Sequence, residues 1–398
     1  MRSITTTLTT MALLAVANPA LAGTARSWGA AMQAVPAVNG ASSLPPLGDT
    51  TIRQIMRLSI GGDSLRLTFD NSDSPGPLLI DHIEVAQVDA AGRILPGTSQ
   101  RVTVGDRPAV VIPAHAPMVS DPVKMVVAPL ARVAISIHLA AGQQPWSFHG
   151  YAAANTLLAP GDQTTAPDMT SVNAMQRRFL VSGIDVTSAR PLRSVVTLGD
   201  SITDGVRATV DSDRRWPDQL AGRLQQAGMV QVGVTNQGIS ANKVLQDGVG
   251  ISALARFDRD VLGVPGVSHV IVLEGVNDIG GASRDNQQAS FDTVGLINAY
   301  RQMVLRAHDH GVKVLLATIL PYKGAGYWSA WGEEQRAKVN AWIRSQKEAD
   351  GVVDFDAAVR NPADPQAFAP AYDSGDHLHP NDVGFTAMAK AVPLNLLR

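Results

Sequence analysis

Two rhythms of apolar and polar positions divide the chain near residue 190. From about Gly23 to Arg190 apolar residues recur at every second position: Leu65, Leu67 and Phe69; Val102 and Val104; Val133, Ile135 and Ile137. A period of two sends alternate side chains to one face of an extended strand. Turn-forming clusters separate these runs, among them Gly61-Gly62-Asp63, Asn71 to Gly76, Ala91-Gly92-Arg93 and Gly105 to Pro108. Short strands at such spacing predict an all-β sandwich or jelly-roll-like domain over residues 23–188. Beyond Pro191 the pattern changes to short, uninterrupted apolar runs at Ser194 to Leu198, Val230 to Thr235, His269 to Leu273, Val312 to Ile319 and Gly351 to Phe355. Runs of this kind suit strands buried on both faces. Helical spacing lies between them. Trp216, Leu220 and Leu224 share one face, as do Ile297, Tyr300, Val304 and Ala307, and Val339, Trp342, Ile343 and Gln346 mark a third helix. Strand–helix alternation over 189–398 predicts an α/β domain with a parallel sheet and helices on both faces. No repeat of fixed period is present.

The first residues follow neither rhythm. Arg2, the apolar run Met11 to Ala17 and the small-residue site Ala20-Leu21-Ala22 read as a secretory signal peptide over 1–22, too short for a membrane span. Export to the periplasm or the medium is the expectation, and no later apolar stretch is long enough to span a bilayer. The chain has no cysteine, which excludes disulfide scaffolds, thiolate metal centres and cysteine nucleophiles. With 33 Lys and Arg against 35 Asp and Glu there is no basic excess to neutralise a nucleic acid.

In parallel sheets of this kind, sites form at the C-terminal strand ends. The first run ends in Gly199-Asp200-Ser201, where a serine at a helix start can present its hydroxyl to a cleft and its N–H to an oxyanion; alone, Ser201 reads as a helix cap. The second ends in Thr235-Asn236-Gln237-Gly238, whose glycine would leave a backbone N–H free to donate, and the third in Gly275-Val276-Asn277-Asp278, whose Asn277 amide is a neutral donor. The last segment is Asp373-Ser374-Gly375-Asp376-His377-Leu378-His379. A serine needs a base, and an imidazole base needs a carboxylate to orient it. Asp376 and His379, three apart, can meet in one loop, with Asp373 as the rival acid. His377 and His379 could also pair on a metal, but no third ligand stands at the required spacing. Asp200 and Asp278 read as loop braces. In the β half, His82, His115, His138 and His149 are scattered and form no constellation.

These four segments together resemble the GDSL (SGNH) family of serine esterases and lipases, over roughly residues 191–398. The resemblance implies a flavodoxin-like three-layer SGNH hydrolase fold and ester hydrolysis with no metal or organic cofactor. It makes Ser201 the nucleophile, His379 the base, Asp376 its orienting acid, and Ser201, Gly238 and Asn277 the oxyanion donors. The preceding β domain is similar to accessory domains of some exported carbohydrate esterases. The expected substrate is a small-molecule or polysaccharide ester, short acyl (acetyl) esters first; Trp216, Tyr327, Trp328 and Trp331 are candidates to contact it. Lipase or lysophospholipase-like hydrolysis, acyl transfer to an alcohol, and non-catalytic sugar binding are the alternatives.

Overall fold

The computed structural model describes residues 23–39 and 41–398, so the leader expected over 1–22 lies outside the described residues. The N-terminal region is built of antiparallel sheets. One orders strands Gly23–Gly29, Val181–Ser188, Ser64–Asp70 and Pro117–Val119. The other centres on Thr50–Arg57, Arg132–Leu139 and Leu78–Gln87. Leu65, Leu67 and Phe69 from the first sheet and Ile52, Ile83, Ile135 and Ile137 from the second are buried in one cluster, so the expected alternation does mark the inner face. On Arg132–Leu139 the opposite face is covered as well, where Ala134 packs with Ala86 and Ile94. The alternation Arg101 to Val104 makes less strand than its pattern predicts. Only Gln100–Arg101 pairs with Leu78–Gln87, while Val104 bridges to Arg107 across the Gly105-Asp106 turn.

The C-terminal region is a five-stranded parallel sheet in the spatial order Val232–Gly238, Arg193–Gly199, Val267–Leu273, Lys313–Ala317, Gly351–Val353. This is the doubly wound order 2-1-3-4-5 of flavodoxin-like sheets, and the sheet is parallel as expected. The second strand starts at Val232 rather than at Val230, which is exposed. Helices Trp216–Gln226, Thr293–Asp309 and Ala330–Ser345 occupy the predicted segments, joined by Val276–Arg284 and Asp382–Ala391. The strand order reverses around the first strand. The C-terminal ends of the first and third strands therefore open on the crevice where such sheets bind ligands.

The antiparallel half packs against the edge of this sheet. Ser194 Oγ donates to the Arg26 carbonyl at 3.0 Å, and the Val234 N–H donates to Ser59 Oγ at 3.0 Å. The edge strand Val232–Gly238 is thus covered rather than left open to pair with another chain.

Candidate active site

Ser201 begins a single helical turn, Ser201–Asp204, directly after the first parallel strand. Asp200 caps that turn by accepting the Ile202 N–H at 2.8 Å, which bears out its reading as a brace. The Ser201 hydroxyl lies 2.8 Å from His379 Nε2, and His379 Nδ1 lies 2.8 Å from Asp376 Oδ2. The other carboxylate oxygen of Asp376 accepts the N–H groups of His379 and Leu378 at 2.9 and 3.0 Å. Asp373, the rival acid, pairs instead with His377 Nδ1 at 2.5 Å. The serine, imidazole and carboxylate therefore form one hydrogen-bonded chain, with the ring hydrogen on Nδ1 and the Nε2 lone pair toward the serine.

Electrostatics agree with that assignment. Burial pushes the Asp376 carboxyl up, but the His379 N–H, the His379 ring and the Leu378 N–H outweigh it and hold the group far below the usual carboxylate range. Burial lowers His379 below an ordinary imidazole; the Asp376 charge opposes this and the Arg207 charge adds to it. Arg207 was not singled out by its sequence. Its Nε lies 3.0 Å from the same Asp376 oxygen that receives the His379 ring.

The oxyanion side differs from the sequence expectation at Gly238. Its N–H is not free, because it donates to Asn236 Oδ1 at 2.9 Å. The glycine serves close packing instead: a Cβ there would sit 2.4 Å from the Asp204 nitrogen. Three residues on, Ala241 holds the left-handed region at φ 63°, and its N–H has no partner among the described residues. The Ser201 N–H is likewise unpaired. Asn277 sits in the first turn of Val276–Arg284, donates one amide hydrogen to the Asn242 carbonyl at 3.0 Å and keeps a second to give.

A buried acidic group underlies these strand ends. Burial pushes Asp200 up to about 7, with the Ile202 N–H opposing and the Asp278 and Asp204 charges reinforcing. Asp278 rises to about 6 through burial against the Val244 and Leu245 N–H groups that it accepts, so it too braces a loop. Glu274 is raised well above its ordinary value by burial and by the Asp200 charge, with Arg256 opposing. Among the described residues neither Glu274 carboxyl oxygen has a hydrogen-bond partner, and Arg256 Nη2 lies 3.5 Å from one of them.

The four aromatic candidates separate. Trp216 is wholly buried and packs edge-to-face on Phe355 with centroids 5.1 Å apart, so it is core and not a substrate contact. Its spacing with Leu220 and Leu224 on the inward helix face already carried that signal. Trp331 packs edge-to-face on Phe291 at 5.4 Å, and Trp328 is half-buried with its indole N–H unpartnered among the described residues. Only Tyr327 touches a site residue: its hydroxyl lies 3.3 Å from Asn277 Oδ1. Its ring seats on Gly280, where a Cβ would come within 2.2 Å of it. No group of His, Asp and Glu among the described residues is arranged to hold a metal, and no described helix is long and apolar enough to cross a membrane.

Residues 197–387 match the family of GDSL-like lipases and acylhydrolases. Among solved structures the chain is similar to a GDSL-like lipase from Bacteroides thetaiotaomicron, 21% identical over 52% of this chain and 88% of that one, with a TM-score of 0.39. It is also similar to a catalytic mutant of an acetylxylan esterase from Geobacillus stearothermophilus, 21% identical over 52% and 94% of the two chains, with a TM-score of 0.40. No curated protein sequence matches the chain.

Proposed function

With residues 197–387 belonging to the GDSL-like lipase/acylhydrolase family, which makes the protein a carboxylic ester hydrolase, we propose that it is exported and cleaves short acyl esters, acetyl esters of carbohydrates foremost, through an acyl intermediate on Ser201. The observation that carries this reading is the chain from Ser201 Oγ to His379 Nε2 and from His379 Nδ1 to Asp376, each link 2.8 Å. His379 takes the serine proton as Oγ attacks the ester carbonyl, then returns it to the leaving alcohol. Water attacks the acyl carbon next and gives a proton to the same nitrogen; the acyl–Oγ bond breaks, Oγ takes that proton back, and the acid leaves. Asp376 keeps the ring in one tautomer and stabilises its cation. The developing oxyanion is received by the Ser201 N–H, the Asn277 amide and the Ala241 N–H, the last in place of Gly238.

Two features support a short acyl group on a polar alcohol. Tyr327, its hydroxyl 3.3 Å from Asn277 Oδ1 and its ring on Gly280, stands as an aromatic wall that would limit the acyl chain on that side. Arg207 and His377, both exposed beside the catalytic loop, give the rim a polar character suited to a sugar. The leader-like segment 1–22 supports export.

The test is hydrolysis of p-nitrophenyl acetate, butyrate and octanoate by the chain lacking residues 1–22. Acetate turns over fastest, Ser201→Ala loses about 10⁴-fold or more, and Tyr327→Ala raises butyrate relative to acetate. Octanoate equal to acetate would favour a lipase-like hydrolase. Equal, slow rates for wild type and Ser201→Ala would leave a sugar-binding protein.

A further inference from the structure

One histidine of the antiparallel half reaches the catalytic half at a point its sequence gave no reason to suspect. His149 is 3% exposed. Its Nδ1 lies 2.9 Å from the Ala31 carbonyl, and its Nε2 lies 2.9 Å from Asp204 Oδ1. Asp204 closes the helical turn that Ser201 opens. The second Asp204 oxygen accepts both the N–H of Ser240, at 3.0 Å, and its hydroxyl, at 2.6 Å. Ser240 immediately precedes Ala241, whose left-handed backbone leaves an N–H without a partner among the described residues, one residue before the Asn242 carbonyl that the Asn277 amide reaches. On the other side, Asn242 is tied to Arg256 Nε at 3.0 Å and to the Val249 and Ile251 carbonyls at 3.1 and 2.9 Å. A left-handed alanine persists only where its neighbours over-determine it, and Asp204 supplies one of those two anchors.

We propose that His149 is a positioning residue for ester cleavage. Acting from the accessory half through Asp204 and Ser240, it fixes the Ile239–Asn242 loop so that the Ala241 N–H faces the oxyanion. The antiparallel half is then part of the active-site framework and not only a cover for a sheet edge. The inference rests on the serine-hydrolase reading above. It implies that the accessory half cannot be removed without loss of turnover even on small soluble esters.

The experiment is a double-mutant cycle in the chain lacking residues 1–22, with His149→Ala, Ser240→Ala and the pair. It reads kcat and KM on p-nitrophenyl acetate alongside thermal melting. The expected result is a fall in kcat of about 10- to 100-fold for His149→Ala, since a small misplacement of a catalytic group costs up to about 10². KM stays within about twofold, a split that general loosening of the fold would not produce. The pair is no slower than the slower single, because both changes cut the same connection. A folded His149→Ala protein with wild-type kcat, or losses that simply multiply in the pair, would overturn the proposal. If His149→Ala does not fold, the same cycle with His149→Gln decides by the same criterion. Ser201→Ala run in parallel separates the failures. An inactive Ser201→Ala protein beside multiplying losses removes only the role of His149, whereas an active one removes the serine reading and this inference with it.

Discussion

Two of the molecule's His–Asp pairs flank the Ser201 turn with nearly equal contacts, His379–Asp376 at 2.8 Å in the loop that carries the proposed base and His149–Asp204 at 2.9 Å in the seam between the halves. What differs is the partner of the other ring nitrogen. In His379 that nitrogen meets the Ser201 hydroxyl, which can donate, so the ring stays neutral and keeps a lone pair for a proton. In His149 it meets the Ala31 carbonyl, which can only accept. Both nitrogens of His149 therefore face acceptors, and neither meets a hydroxyl to activate. A His–Asp contact distance thus does not identify a base. The third group does.

That contrast can be broken most severely at the carboxylates. Asp376→Asn should lower kcat about 10⁴-fold, as loss of the tautomer-fixing acid does in serine hydrolases, while Asp204→Asn should cost no more than the positioning effect of about 10- to 100-fold. Equal losses at the two sites would erase the distinction. Asn277→Ala comes next, with about 10²- to 10³-fold lower kcat for one missing oxyanion donor; a change confined to KM would place the amide on ground-state substrate instead. The pH profile gives a smaller effect. Because His379 is held below an ordinary imidazole, kcat/KM should rise as the ring deprotonates, with a midpoint below the ordinary imidazole value of about 6.5. Removing the nearby cation in Arg207→Gln should move that midpoint upward, and a downward shift would contradict the role given to Arg207.

The smallest effect concerns the buried acids. A carboxyl whose value is raised in the fold stabilises the protein at low pH, and that stability fades as pH climbs from its unfolded value through its folded one. For Asp278 and Asp200 the fading runs up to about 6 and about 7. Glu274→Gln removes the member of the group that burial and the Asp200 charge hold well above its ordinary value. Between pH 5 and 8 its melting temperature should therefore fall less than the wild type's, by about 2–4 °C. Parallel melting curves would show that Glu274 does not take part.

Ser201 was legible because it follows an apolar run, where a parallel sheet opens its crevice; Asp376 and His379 follow no such run and were legible because they are close enough in sequence to meet in one loop. Asn277 and the two bracing aspartates were readable on the same ground as Ser201. The bond between Asn236 and Gly238 was not, since a local side-chain acceptor competing for a backbone donor leaves no periodic trace. Nor was the left-handed turn at Ala241, which carries no glycine to announce it. His149 and Asp204 lie 55 residues apart in different halves of the chain, and only the packing of one half on the other joins them. Trp216 marks the opposite case, where the period did point to the core and the side chain's chemistry drew attention to a cleft.

Ser201, activated by His379, is the proposed nucleophile. The most direct measurement treats the chain lacking residues 1–22 with a fluorophosphonate and locates the adduct by peptide mass spectrometry while residual esterase activity is followed. One phosphonyl group is expected, on the peptide containing Ser201, appearing at the rate activity disappears and absent from His379→Ala. Full activity without an adduct, or inactivation with the adduct on another residue, would contradict it.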